Sequence, residues 1–253
     1  MADRTIPHIG EAIVLRSWPF LEADLLVSIF TREQGRIKGV ARHAMKSRRR
    51  FGGALEPMTH VRATYAERPR NHIAQDLVRL DAFEIITSPL TRPIDYARTA
   101  ALQMIAEILE EALPEQAPED AVFRLALAVL DELQIGRVWM PITYFCLWMN
   151  RLMGWMPELG KCVVCGEDLR GQTVWYSPNA DGVTCYDDRR ANSHPLSAAS
   201  VAEAQRMFRG TVAGLAQEDW PKVRGAELRR FAIDTLERHL ERQLRSARAL
   251  GRA

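Results

Sequence analysis

The hydrophobic pattern of this chain changes period after Ser88-Pro89. Before that point apolar residues recur at every second position, the period of a strand. After it they step at three and four, the period of a helix. In Asp24 to Thr31, Leu25, Val27 and Ile29 alternate with Leu26, Ser28 and Phe30. Gly10 to Ser17 is a first strand rich in Ile, Val and Leu, Glu33-Gln34-Gly35 is a turn, and Arg36 to Arg42 is a third strand. Met58 to Ala66 and His72 to Phe83 complete the set, with Arg68-Pro69-Arg70-Asn71 turning between them. Five short strands suit a small closed barrel such as an OB-fold, with a small antiparallel sandwich as the alternative.

The remainder predicts helices. Ile94, Ala97, Ala101, Ile105, Ile108 and Leu109 mark the first, and Pro114 to Pro118 ends it. Val122, Leu125, Val129, Leu130 and Leu133 mark a second, Ile142 to Met153 a third, and Ser197 to Phe208 a fourth with Ser197 as its cap. Leu228, Phe231, Thr235, Leu236, Leu240 and Leu244 mark the last, and Ser246 to Ala253 reads as disordered. The fold class is therefore α+β. An OB-fold domain at 1–83 precedes a helical domain at 84–253, into which a loop-rich cysteine ribbon is inserted at about 160–192. The longest apolar stretch, Val138 to Met149, is too short to span a bilayer. Met-Ala-Asp-Arg-Thr precedes no apolar segment, so no secretory signal is expected and the cytoplasm is the expected compartment.

A net charge of +2 hides a segregation. Residues 1–80 hold 14 Lys/Arg and 8 Asp/Glu, net +6; residues 81–221 hold 11 and 20, net −9; residues 222–253 hold 9 and 4, net +5. Seven of the fifteen residues from Arg36 to Arg50 are cationic and none is acidic: Arg36, Lys38, Arg42, Lys46, Arg48, Arg49 and Arg50. Like charges this dense repel one another, and a polyanion lying across them relieves the repulsion and releases counterions. A solvated loop is the plainer reading of a charge run alone. The barrel is thin in candidate stacking aromatics (Trp18, Phe20, Phe30, Phe51 and Tyr65), so phosphate contacts are expected to dominate.

Cys162-Val163-Val164-Cys165-Gly166 is a two-thiolate knuckle in which glycine permits the turn. Cys185 supplies a third sulfur, and Asp188 stands where a fourth cysteine would. His194 is a further candidate ligand, and Cys146 reads as a buried hydrophobe. One structural zinc ion is the metal reading; a ribbon held by packing of Trp175, Tyr176 and Val183 is the other. No phosphate loop, H-E-x-x-H helix, Ser/His/Asp set or paired carboxylates is recognisable, and Glu110-Glu111 and Asp187-Asp188 read as solvated acids. Trp139, Met140, Trp148, Met149, Met153, Trp155 and Met156 crowd one region, as core or as an apolar groove for a partner segment.

Phe30-Thr31, Gly35-Arg36-Ile37, Ala41-Arg42, Ser47 to Gly53 and Leu55-Glu56-Pro57 resemble the opening domain of the bacterial RecO family. Cys162-x-x-Cys165-Gly166, Tyr176-Ser177-Pro178, Gly182 and Cys185 resemble its ribbon, and Asp188 departs from the fourth cysteine of many members. The resemblance implies a recombination mediator, not an enzyme, that binds single- and double-stranded DNA and anneals complementary strands. It implies RecR as partner, help in loading RecA, and a helical domain that holds the acidic C-terminal tail of single-strand-binding protein. The residues themselves leave two other readings open: a zinc-dependent enzyme acting on nucleic acid, with the three cysteines leaving an open metal position, and an RNA- or ribosome-binding OB protein.

Overall fold

In a computed structural model, which describes residues 7–47, 49–66, 77–91, 93 and 95–253, the period-two segments form five strands. They are β1 (His8–Phe20), β2 (Asp24–Thr31), β3 (Gly35–Ala41), β4 (His60–Ala66) and β5 (Leu77–Thr87). They close into a barrel in the order β1-β2-β3-β5-β4, which decides for the OB-like barrel over a sandwich. Every pairing is antiparallel except β3 with β5. That parallel pairing sets Gly39 opposite Val78, where a Cβ would lie 2.7 Å from the Val78 and Leu80 side chains. β4 starts at His60, not Met58, because Met58 takes φ 65° and its N–H donates to the Val14 carbonyl at 2.6 Å. β5 runs past Phe83 to Thr87, since pairing with β4 continues through Ile85 and Thr87. The expected turn at 68–71 and the expected strand start at His72 lie outside the described residues.

The connection from β3 to β4 has two characters. Its cationic part leads through a short 3₁₀ turn, Ala44–Lys46. Its apolar part then re-enters the barrel: Phe51, Ala54 and Leu55 belong to the same buried cluster as Val14, Val27, Ile29, Ile37, Val61, Leu80 and Phe83. Phe51 meets Phe83 edge-on at 5.6 Å, and the Phe83 N–H donates to the Arg50 carbonyl at 2.9 Å. Burial of one such aromatic contributes about 1.5–3 kcal/mol, enough to fix a turn that has little regular hydrogen bonding.

Two helices, α1 (Tyr96–Ala112) and the start of α2 (Asp120–Gln134), cluster with the barrel in one compact unit, Met1–Leu130 with Ala249–Ala253. They bury the outer face of β2, so Ser28 and Phe30 are as buried as Val27 and Ile29. Ser28 donates to Glu110, and Phe30 meets Phe123 edge-on at 5.3 Å. Glu110 is therefore not a solvated acid: its side chain is 11% exposed and it accepts from Arg36 at 3.3 Å. Gly35, at φ 72°, lets the β2–β3 turn reach this segment; a Cβ there would lie 2.0 Å from the Ala117 carbonyl oxygen.

The second unit, Asp131–Arg248, contains α3 (Trp139–Leu152), β6 (Val174–Tyr176), β7 (His194–Leu196), α4 (Ala198–Arg209), α5 (Val212–Leu215) and α6 (Ala226–His239). Ser197 caps α4, accepting from the Ser200 N–H at 3.3 Å. Buried Asn150 on α3 donates to Cys146 O and to Ala232 O of α6, each at 2.8 Å. Met140 and Met149 are core, while Trp139, Trp148 and Trp155 are half-buried. The last element, α7 (Arg245–Arg252), replaces the disorder expected from Ser246 onward. Leu244, Ser246 and Leu250 are buried there, too few apolar positions to show a period.

Phe51→Ala is expected to lower the unfolding free energy by about 3–5 kcal/mol, read as a fall in the urea midpoint. Arg49→Ala, two residues away and exposed, is expected to change it by less than about 0.5 kcal/mol. Equal effects would mean that the loop is not anchored by its aromatic end.

Candidate functional site

The seven cations from Arg36 to Arg50 do not share one environment. Arg36 and Lys38, on β3, are bound to acids of the α1–α2 segment. The Arg36 side chain is 11% exposed; it donates to Leu113 O at 3.0 Å and pairs with Glu110 at 3.3 Å and Glu115 at 3.1 Å. Lys38 reaches the same Glu115 oxygen at 2.9 Å. The hydrogen bond from Lys38 is the largest lowering influence on the Glu115 carboxyl, which lies below the ordinary carboxylate range.

Arg42, Lys46 and Arg49 are exposed in the loop, and Arg48 lies outside the described residues. Arg50 is half-buried: its guanidinium donates to Arg42 O and to Ser47 Oγ and lies 5.2 Å from the Phe51 ring centroid. Arg50 thus braces the loop as well as charging it. Asp24 holds the loop's other end, accepting the His43 N–H at 2.7 Å where His43 takes φ 53°. The structure therefore brings Arg42, Lys46, Arg49 and Arg50 into one braced loop and draws Arg36 and Lys38 into ion pairs. Glu110 and Glu115 escape a sequence reading because they lie 74 and 79 residues from Arg36, beyond any local periodicity.

The ribbon gathers Cys162, Cys165, Cys185 and Asp188, whose ligand atoms all lie within 4.8 Å of one another. Asp188 Oδ2 is 3.3 Å from both Cys162 Sγ and Cys185 Sγ, and Cys165 Sγ is 3.9 Å from Cys185 Sγ. A tetrahedral site with zinc–sulfur bonds of about 2.3 Å has ligand–ligand edges of about 3.8 Å, so the set fits a tetrahedral metal ion. Hydrogen bonds from Cys165, Cys162 and Cys185 hold the Asp188 carboxyl below its ordinary range. Asp188 is the fourth member; His194 is not, since its Nε2 lies 3.0 Å from the Arg230 guanidinium.

Packing also holds the ribbon. Tyr176 donates to Asp234 at 2.9 Å and meets Phe231 edge-on at 4.9 Å, while Arg238 donates to Ala180 O at 2.7 Å. Val183 is buried, and its carbonyl accepts the Val163 N–H at 2.9 Å. The base of the ribbon is thus fixed to α6 independently of any metal.

An OB-like barrel with a cationic, braced loop, followed by a helical unit carrying a four-ligand ribbon, defines an architecture and no particular chemistry. Comparison with known proteins supplies the family. The family model for "Recombination protein O N terminal" matches residues 7–88, and that for "Recombination protein O C terminal" matches 94–248. The DNA repair protein RecO of Koribacter versatilis is 52% identical over 235 residues, covering 93% of this chain and 94% of that one. The DNA repair protein RecO of Anaeromyxobacter sp. strain K is 33% identical over 241 residues, covering 94% and 93%. That of Bifidobacterium adolescentis is 28% identical over 253 residues, covering 95% and 97%. The chain belongs to the RecO family of DNA repair proteins. Among the described residues no helix is long and apolar enough to cross a membrane.

The cysteines give a test of this geometry. Cys146 is wholly buried in α3, and burial pushes its thiol up to about 12; the hydrogen bond with Asp188 pushes the Cys165 thiol up to about 12 as well, but Cys165 is exposed, so access to the reagent separates the two. With a chromogenic disulfide reagent at pH 8, Cys165 is expected to react in the native, metal-stripped protein and Cys146 only after unfolding. Added zinc is expected to protect Cys165 and to change nothing at Cys146. Native-state reaction of Cys146 would contradict its placement.

Proposed function

We propose that this protein is a recombination mediator that works on DNA by binding and positioning, without covalent catalysis. In this reading the barrel domain, residues 1–83, holds single- and double-stranded DNA through phosphate contacts. Arg42, Lys46, Arg48, Arg49 and Arg50 are the main contacts, and Arg36 and Lys38 contribute less because Glu110 and Glu115 already neutralise them. The observation that carries the reading is the loop itself: exposed cations fastened at one end by Asp24 and at the other by Phe51 in the barrel core. A cationic surface held in shape neutralises two repelling backbones, which strand annealing requires.

Annealing of complementary strands, partnership with RecR, and help in loading RecA onto strands coated by single-strand-binding protein complete the proposal, with cytoplasmic, nucleoid-associated work. The acidic tail of single-strand-binding protein docks on the helical domain, a reading supported by Lys222 Nζ at 5.3 Å from the ring centroid of half-buried Trp139. The ribbon takes one zinc ion through Cys162, Cys165, Cys185 and Asp188 in a structural role. Four ligands fill a tetrahedral shell, which favours this over a catalytic zinc with an open position.

The test is a salt titration on the full chain. If about four cations engage phosphates of a single strand, log K against log salt slopes near −3, and raising salt from about 50 to about 200 mM costs roughly fifty-fold in affinity. Two oligonucleotides of unrelated sequence should give the same slope. Changing Arg42, Lys46, Arg48 and Arg49 together to Gln is expected to flatten the slope with the melting temperature kept, and Glu115→Gln to steepen it by releasing Lys38. A flat slope for the unaltered protein, or strong base preference, would remove the loop as the main contact.

A further inference from the structure

We infer that Cys165 and Cys185 are a redox pair, through which a peroxide closes a disulfide and reversibly dismantles the four-ligand set of the ribbon. The chain holds four cysteines, and Cys146 is wholly buried in α3, outside the ribbon. Of the other three, Cys162 and Cys185 are buried and Cys165 is exposed. A cleft of about 440 Å³ opens beside Cys165, with Glu158, Lys161 and Gly182 on its walls. An oxidant therefore meets Cys165 first, and Cys185 Sγ stands 3.9 Å from its sulfur. Cys162 is the more firmly set of the two buried cysteines. Its N–H donates to Glu167 O at 2.9 Å, its carbonyl accepts from the Gly166 N–H at 3.0 Å, and it bridges to Val183.

The step balances with hydrogen peroxide alone. The Cys165 sulfur attacks the O–O bond, a sulfenic acid forms and water leaves. The Cys185 thiol then attacks that sulfur; the S–S bond forms, the S–O bond breaks and a second water leaves. Two thiols lose two electrons and two protons, and the peroxide is reduced to two waters. The bond needs sulfurs at about 2.05 Å, a gap that rotation of the exposed Cys165 side chain closes. The hydrogen bond with Asp188 that raises the Cys165 thiol slows the first attack, so closure takes a sustained oxidant.

Asp188 sets this outcome apart from that of a four-cysteine site. Four thiols can close two disulfides and lose every ligand. Here oxidation stops at one bond, since a carboxylate forms none. Cys162 Sγ remains a thiol whose sulfur lies within 4.8 Å of both partners, where it can attack the new bond and help to reopen it. With two of four ligands gone, the site no longer holds a metal ion firmly. The base of the ribbon is untouched, because Tyr176 and Ala180 are fixed to α6 by Asp234, Phe231 and Arg238. Oxidation thus loosens the knuckle and spares the fold.

Metal release rests on the zinc reading above; the disulfide rests on the sulfur geometry alone. The test exposes the full chain, loaded with zinc, to a modest excess of hydrogen peroxide. Zinc release is read with a chromogenic chelator. After denaturation, free thiols are blocked with a light maleimide, the protein is reduced, and the new thiols take a heavy one. Heavy label is expected on Cys165 and Cys185 and light label on Cys146 and Cys162, with one zinc released per disulfide. A thiol reductant with added zinc is expected to restore occupancy. Hydrogen exchange is expected to quicken at 162–167 and to stay unchanged at 174–180. Heavy label on Cys162 and Cys165, a disulfide between two chains, or four thiols surviving the peroxide would overturn the inference. A protein that takes up no zinc, yet carries heavy label on Cys165 and Cys185, sinks the zinc reading and leaves the pair standing.

Discussion

The seating of Phe51, Ala54 and Leu55 in the barrel is the constraint on which the candidate interface depends. A stretch with as many like charges as Arg36 to Arg50 gains nothing from being compact, and on electrostatics alone it would spread into solvent. Three apolar residues at its far end reverse that tendency. They belong to the same core as all five strands, so the loop's far end cannot leave its place without opening the barrel. Asp24 and Arg50 add local restraint at small energetic cost, through hydrogen bonds that half-exposed groups make readily.

Charge is trimmed as well as concentrated. The Ser28–Glu110–Arg36 contact joins barrel to helix, and it removes one cation from the pool available to a ligand. Lys38 loses part of its charge to Glu115 in the same way. Such pairs near the surface add little stability when fully solvated, but Arg36 and Glu110 are mostly shielded and leave each other costly to remove. The loop beyond β3 has no comparable acid against Arg42, Lys46 or Arg49 among the described contacts, so the positive field is focused there. The basic net charge of residues 1–80 against the acidic middle of the chain is the trace of this arrangement in the sequence.

How legible this was depends on the range of the interaction. β2 was readable to the residue because its inner face alternates and Thr31 leads into a glycine turn. Ser197 was readable as a cap because capping is local. Gly35 was readable as a turn residue, but the close approaches that need glycine at 35 and 39 are to Ala117 and to Val78 and Leu80, all distant in sequence. The cysteine ribbon was legible through its spacing, and the three-residue step from Cys185 made Asp188 a candidate for the fourth group beside His194, between which spacing alone does not choose. Glu110 was misread as solvated because its partners Ser28 and Arg36 lie 82 and 74 residues away, and α7 as disordered because it holds too few apolar positions to mark a helix.

Hydrogen exchange followed by mass spectrometry, on the full chain with and without a short oligothymidylate, addresses the central claim most directly. In the free protein the amides of 51–55 should exchange slowly, as core does, while those of 42–50 exchange faster. Adding the oligonucleotide should slow 42–50 and leave α1 unchanged. Exchange at 51–55 as fast as at 42–50, or protection by DNA everywhere except this loop, would contradict the account.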